Sequence, residues 1–334
     1  MKRFTAIILT ALLLFSLAAC ENMSLGTKPT YIESPIEDFI YEITESGDGI
    51  NIIKYVGNDA TVVITSIIDG LPVTQIRGKI DDENNIISGA FQNCDVVTVV
   101  IPSSVFVIGA RAFQNCAKLK EIIIPEDTSL YILGGWAFHF CTSLESIDLS
   151  ATKITSLSIS TFEQCKNLKS IKLCESITYG IDKRAFYGCE SLEEIVLPKN
   201  LEVIKDEAFG YCTSLKSINI PTKLDLYAIN KQVFHNVPSL ESIIFDEGRE
   251  EIVGYAFFDT TSNVEIIIPA SVKKISPYTF FIRSNAKLIF LGDCPESVDT
   301  DVFYGDPTIY YDPNTAGWDN CVWKDNHPMQ PIEN

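Results

Sequence analysis

Leu192-Glu193-Glu194-Ile195-Val196-Leu197-Pro198, then Ile204, then Ala208-Phe209-Gly210-Tyr211-Cys212, is one copy of a unit that fills most of this chain. Its Phe recurs at Phe91, Phe113, Phe138, Phe162, Phe186, Phe209, Phe234, Phe257, Phe280 and Phe303, at intervals of 22 to 25 residues. Most follow a small residue. Five positions earlier stands an aliphatic residue: Ile86, Ile108, Leu133, Leu157, Ile181, Ile204, Ile229, Ile252, Ile275 and Val298. Three positions later the first six units carry Cys94, Cys116, Cys141, Cys165, Cys189 and Cys212. A β-rich run and a proline turn follow, as in Leu119 to Pro125 and Leu215 to Pro221. A unit this short cannot bury its own apolar face, so the units must stack. The reading is a repeat solenoid of about ten coils of ~23 residues, roughly 45 Å long at ordinary strand spacing. The Phe column fills its interior.

The pattern Leu-x-x-Ile-x-Ile-Pro, then Ile-x-x-x-Ala-Phe-x-x-Cys, resembles the BspA-like branch of bacterial leucine-rich-repeat surface proteins. The flanks resemble that family too, in Tyr41 to Val73 and in Tyr310-Tyr311-Asp312-Pro313 with Gly317-Trp318. The likeness covers roughly residues 38 to 323. It implies a leucine-rich-repeat, right-handed coil with one parallel β-sheet and mostly irregular or short helical returns. It also implies a surface protein of the kind implicated in adhesion to host matrix proteins or neighbouring cells. The shared residues are structural ones, so they name no partner.

The N-terminus reads as a targeting segment. Lys2 and Arg3 precede the apolar run Phe4 to Leu17, and Leu17-Ala18-Ala19-Cys20 resembles the lipobox of bacterial lipoproteins. That likeness implies cleavage before Cys20 and acyl chains on its thiol, anchoring the protein at the bacterial cell surface or outer membrane. The expected layout is signal peptide 1–19, flexible tether 20–35, lead-in cap 36–80, solenoid 81–293, and last repeat with C-terminal cap 294–334. A net charge of -18 would be repelled by phosphate backbones, so no nucleic-acid partner is expected.

The chemistry-bearing residues are thin. The three histidines, His139, His235 and His327, are not spaced as metal ligands, and no nucleophile or nucleotide motif occurs. No cofactor, metal or catalytic residue is assigned, and an enzyme is not expected. Asp81-Asp82-Glu83 reads as a solvated loop before it reads as a calcium site. The cysteine column reads as buried free thiols packed beside the Phe residues. Cys174 takes the place of the turn proline and is expected near the surface, while Cys294 and Cys321 either pair or stay free. Arg283 and Asp306 either pair across neighbouring coils or face water.

Strand alternation turns the sixth, ninth and eleventh positions after each Phe inward and the eighth and tenth outward. The eighth column (Glu121, Ser146, Ser170, Glu194, Ser217, Ser242, Glu265, preceded by Thr98) is small and polar. The seventh alternates in sign through Lys120, Glu145, Lys169, Glu193, Lys216 and Glu241, a register device. The tenth is Val100, Ile123, Asp148, Lys172, Val196, Asn219, Ile244, Ile267 and Phe290, mostly apolar where solvent is expected. Such a stripe marks an interaction surface, or else reflects strand preference alone. As a surface it would take a protein or glycan partner. The alternative is a structural, self-assembling role without a host ligand.

Overall fold

The computed structural model describes residues 31–80, 85–226, 232–253, 264–277, 279–281, 286–298 and 302–333. The chain winds into a β-solenoid of about 11 turns. The main ladder starts with Thr61–Val63, Thr98–Val100 and Glu121–Ile123 in parallel register and continues through Ser146–Asp148 and Ser170–Lys172. It then runs unbroken from Glu194–Ile195 through Ser217–Ile220, Ser242–Phe245, Glu265–Ile268, Lys287–Phe290 and Thr308–Tyr311 to Met329–Pro331.

The returns are mostly turns and irregular backbone, as expected, with one short paired segment in most of them. The aliphatic residues five before each Phe form a second parallel ladder, Ile108 beside Leu133, Leu157 beside Ile181 and then Ile204, and Ile252 beside Ile275 and Val298. Tight turns follow, in which the residues two before and two after Phe are left-handed. Arg111, Asn115, Trp136, Phe140, Ser160 and Gln164 all have φ between 54° and 63°. Each such residue costs roughly 1 kcal/mol or more. The alternation aims every second amide along the solenoid axis, so that Arg111, Phe113 and Asn115 donate to the carbonyls of Gly135, Ala137 and His139 at 3.0, 2.8 and 2.8 Å. Those bonds offset the strain and staple coils together where no strand exists.

Inside, the Phe rings stack directly on one another. Successive centroids from Phe91 to Phe234 lie 4.9 to 5.8 Å apart with interplanar angles of 4° to 21°. Phe280 stacks on Phe303 at 6.0 Å. Phe257 lies outside the described residues. The lead-in extends the ring stack: Tyr55 stacks on Phe91 at 5.2 Å, and Phe39 packs on Tyr55. Likewise Ile76, not Ile86, pairs with Ile108. Ile86 belongs to the small antiparallel pair Lys79–Ile80 and Ile86–Ser88.

Five of the six column cysteines are buried beside their Phe, with Cys94 at the start of the column partly exposed, and they do more than fill space. Cys116, Cys141, Cys165, Cys189 and Cys212 each donate to the carbonyl of the Phe one coil earlier, at 2.9 to 3.2 Å. Each of those carbonyls also accepts the amide three residues on, as Phe113 O does from Cys116 N at 3.2 Å, so the thiol engages its second lone pair. Burial pushes the Cys141, Cys165, Cys189 and Cys212 thiols up, Cys212 to about 12. Cys174 corrects the expectation of a surface site, since it is only 3% exposed. The turn position it shares with Pro198 and Pro221 faces the core corner, and Thr152 and Ser176 donate to its Sγ at 3.3 and 3.1 Å. The alternating charge column forms coil-to-coil ion pairs, Lys169 with Glu145 at 3.7 Å and Lys216 with Glu193 at 2.5 Å. Exposed pairs like these contribute little stability but penalise a slipped register.

Candidate binding face

The tenth column lies on the outer side of the main ladder as a continuous row. Val63, Val100 and Ile123 are cross-strand neighbours, Asp148 pairs with Lys172 at 3.0 Å, and Asn219, Ile244 and Ile267 stand side by side. Val196 is 51% exposed and Ile244 half-buried, so an apolar stripe does face outward there. Two assignments are corrected. Phe290 is the eleventh-column neighbour of Ile268, buried against Trp318 and Trp323, and the outward residue of that coil is Ile289, beside Ile267 and then Tyr310. That coil is one residue shorter than the one before it, which moves Phe290 to the inner face.

Asn219 is the second correction: it is 5% exposed and structural. In two earlier coils the amide after the outer residue donates to the next coil's backbone, Ile101 to Ile123 O and Leu149 to Lys172 O. At Leu197 the Asn219 side chain takes over. Its Oδ1 accepts from Leu197 N at 2.7 Å, and its Nδ2 donates to Leu197 O at 3.1 Å and to both Asp246 carboxylate oxygens at 3.3 Å. Asn219→Ala leaves these groups without partners and is expected to cost about 2 kcal/mol in chemical denaturation. A change within a few tenths would remove this role.

Asn219 also lines a groove of about 540 Å³. Val196, Ile244 and Ile267 form its floor, and Pro269 and Leu291 close its apolar end. Glu175, Asp246 and Glu247 line it with a single lysine, Lys199. Burial pushes the Asp246 carboxyl up, against the pull of the Asn219 hydrogen bonds and of the Lys199 and Arg249 charges. Arg249 is itself tied down, its Nη2 donating to Pro221 O and Leu224 O at 2.7 and 2.9 Å. The volume suits a side chain or short segment rather than a whole domain.

The model of the BspA-type leucine-rich-repeat region matches six copies, over residues 84–216 and 179–310. The chain belongs to this family. Its fold is similar to that of a leucine-rich cell surface protein from Faecalibacterium prausnitzii A2-165 (21% identity over 78% of this chain and 95% of that one, TM-score 0.35). It is also similar to a leucine-rich-repeat protein from Bacteroides ovatus (20%, 90% and 100%, 0.40) and to the pneumococcal vaccine antigen PcpA (17%, 91% and 98%, 0.42). No curated protein matches the chain.

In two of the BspA-type coils the turn after Phe carries a histidine, His139 and His235. His139 packs edge-on to Phe140 at 4.4 Å and contacts Gln114 and Glu163, while His235 stands edge-on to Tyr211. Burial is the largest influence on His139 and lowers its pKa. Arg111 lies over Trp136 and Arg184 over Tyr187, so these side chains largely satisfy one another. His327 packs on Phe303 in the closing segment. Among the described residues no three His, Cys, Asp or Glu are grouped to hold a metal ion. Cys20, Asp81-Asp82-Glu83 and Arg283 lie outside the described residues. The reading from sequence missed Asp246, Ile289 and Leu291, which come from turn geometry and a shortened coil and have no repeat signature of their own.

Proposed function

We propose that this BspA-type protein is an exported surface protein, lipid-anchored through Cys20, which binds a protein partner through the outer sheet face from Val196 to Ile267. The observation that carries the reading is the apolar floor open beside an acidic rim, on a scaffold whose other repeated residues are occupied in holding coils together. Aliphatic floors suit polypeptide side chains. Sugar rings are better matched by exposed aromatic faces, and Val196, Ile244 and Ile267 are not aromatic. Three carboxylates against one lysine favour a segment that sets an apolar side chain next to a cationic one. The protein acts by binding rather than turnover.

The test is binding of the mature chain to immobilised matrix proteins and, in parallel, to a glycan array. Saturable protein binding that weakens with added salt is the expected result. Glycan binding alone would overturn the choice of partner. Concentration-dependent oligomers in sedimentation, dissolved by substitutions in the floor, would instead assign the face to self-assembly.

A further inference from the structure

The closing segment folds back over the coil before it. Cys294 N donates to Ala316 O at 2.9 Å, Ala316 N to Asp293 Oδ1 at 2.7 Å, and Trp318 Nε1 to Gly292 O at 3.2 Å. Gly317 sits so near that a Cβ built on it would lie 3.1 Å from the Cys294 Cβ. The 3-10 turn Trp318–Asn320 then delivers Cys321 four residues beyond Gly317, on the same side as Cys294, and each of the two thiols is the largest influence on the other's acidity, Cys294 raised and Cys321 lowered. The column thiols are placed differently: Cys116, Cys141, Cys165, Cys189 and Cys212 each hold a backbone carbonyl at 2.9 to 3.2 Å, whereas the Cys294 thiol reaches the Pro295 carbonyl only at 4.0 Å.

We propose that Cys294 and Cys321 form a disulfide that latches the closing segment to the solenoid. Two S–H bonds break and one S–S bond forms. Two protons and two electrons pass to an external disulfide, whose S–S bond breaks to give two thiols. What the latch would hold is the plug over the end of the core. Trp318 packs on Phe290 and Tyr311, both at 5.1 Å, and Trp323 on Phe290 and Phe303 at 5.6 and 5.0 Å. The last coil of a solenoid has no neighbour to bury its outer edge, so its cap is where the structure would otherwise open first. The inference is independent of which partner the outer face takes.

The experiment equilibrates the full chain with oxidised glutathione, unfolds it in guanidinium, alkylates it and maps the peptides by mass. The expected result is a cross-linked Cys294–Cys321 peptide, two hydrogens lighter than the dithiol, with the other seven described cysteines alkylated. Adding a reductant to the oxidised protein is expected to lower Tm by roughly 5 °C, with no such shift in Cys294→Ser. Full alkylation of Cys294 and Cys321, or cross-links within the buried column instead, would overturn the proposal. The peptide map of the unmutated chain decides this even if Cys294→Ser folds poorly.

Discussion

Phe138→Ala is expected to lower the free energy of unfolding by about 3–5 kcal/mol, measured by guanidinium denaturation. The ring is fully buried, with Phe113 on one side at 5.3 Å and Phe162 on the other at 5.4 Å, both within 4° of parallel. Removal loses the transfer free energy of a phenyl group, leaves a cavity whose walls are other coils, and breaks two stacking contacts at once. Collapse around the cavity is opposed because the backbone on either side is fixed by coil-to-coil bonds. Phe138 N donates to Thr161 O, and Cys165 Sγ to Phe138 O. Tyr179→Ala, at a residue 71% exposed, serves as the control and is expected to change stability very little. Equal effects at the two positions would mean the stack is not the core.

Val196→Arg combined with Ile244→Arg is expected to reduce partner affinity at least about 100-fold, with Tm nearly unchanged. Both residues form the groove floor on the outward side of the sheet, where an arginine can lay its stem along the surface and keep its head in water. The substitutions remove the apolar contact and oppose a cationic partner at the same time. Ile267 is a poorer choice, being 6% exposed, and its replacement would mix lost binding with lost stability. Retained affinity in the double variant would move the binding site elsewhere. A large fall in Tm would show that the floor belongs to the core.

The repeat was legible because its residues are dictated by one environment met again in every coil. A ring stacked between two rings must be a flat aromatic one, so Phe113 to Phe209 announce themselves by spacing alone. Tyr55 fills the same place but escaped notice, since 36 residues and an inserted antiparallel pair separate it from Phe91. Phe290 was assigned to the wrong face because counting from Phe280 assumes a constant coil length, and Ile267 and Ile289 are only 22 residues apart. Asn219 looked like any solvent-facing polar residue. Its burial depends on the strand Glu194–Ile195 ending early, which only the fold reveals. The groove was half legible: its apolar floor follows strand alternation, whereas Asp246 and Leu291 reach it through the paths of their turns.

Amide hydrogen exchange, read residue by residue, tests most directly whether the periodic Phe segments bind coil to coil. Slow exchange is expected to recur every 22 to 25 residues, at the amides of Phe91, Phe113, Phe138, Phe162, Phe186 and Phe209, each of which donates to the following coil. Fast exchange at these amides, with protection gathered into contiguous blocks instead, would contradict the account.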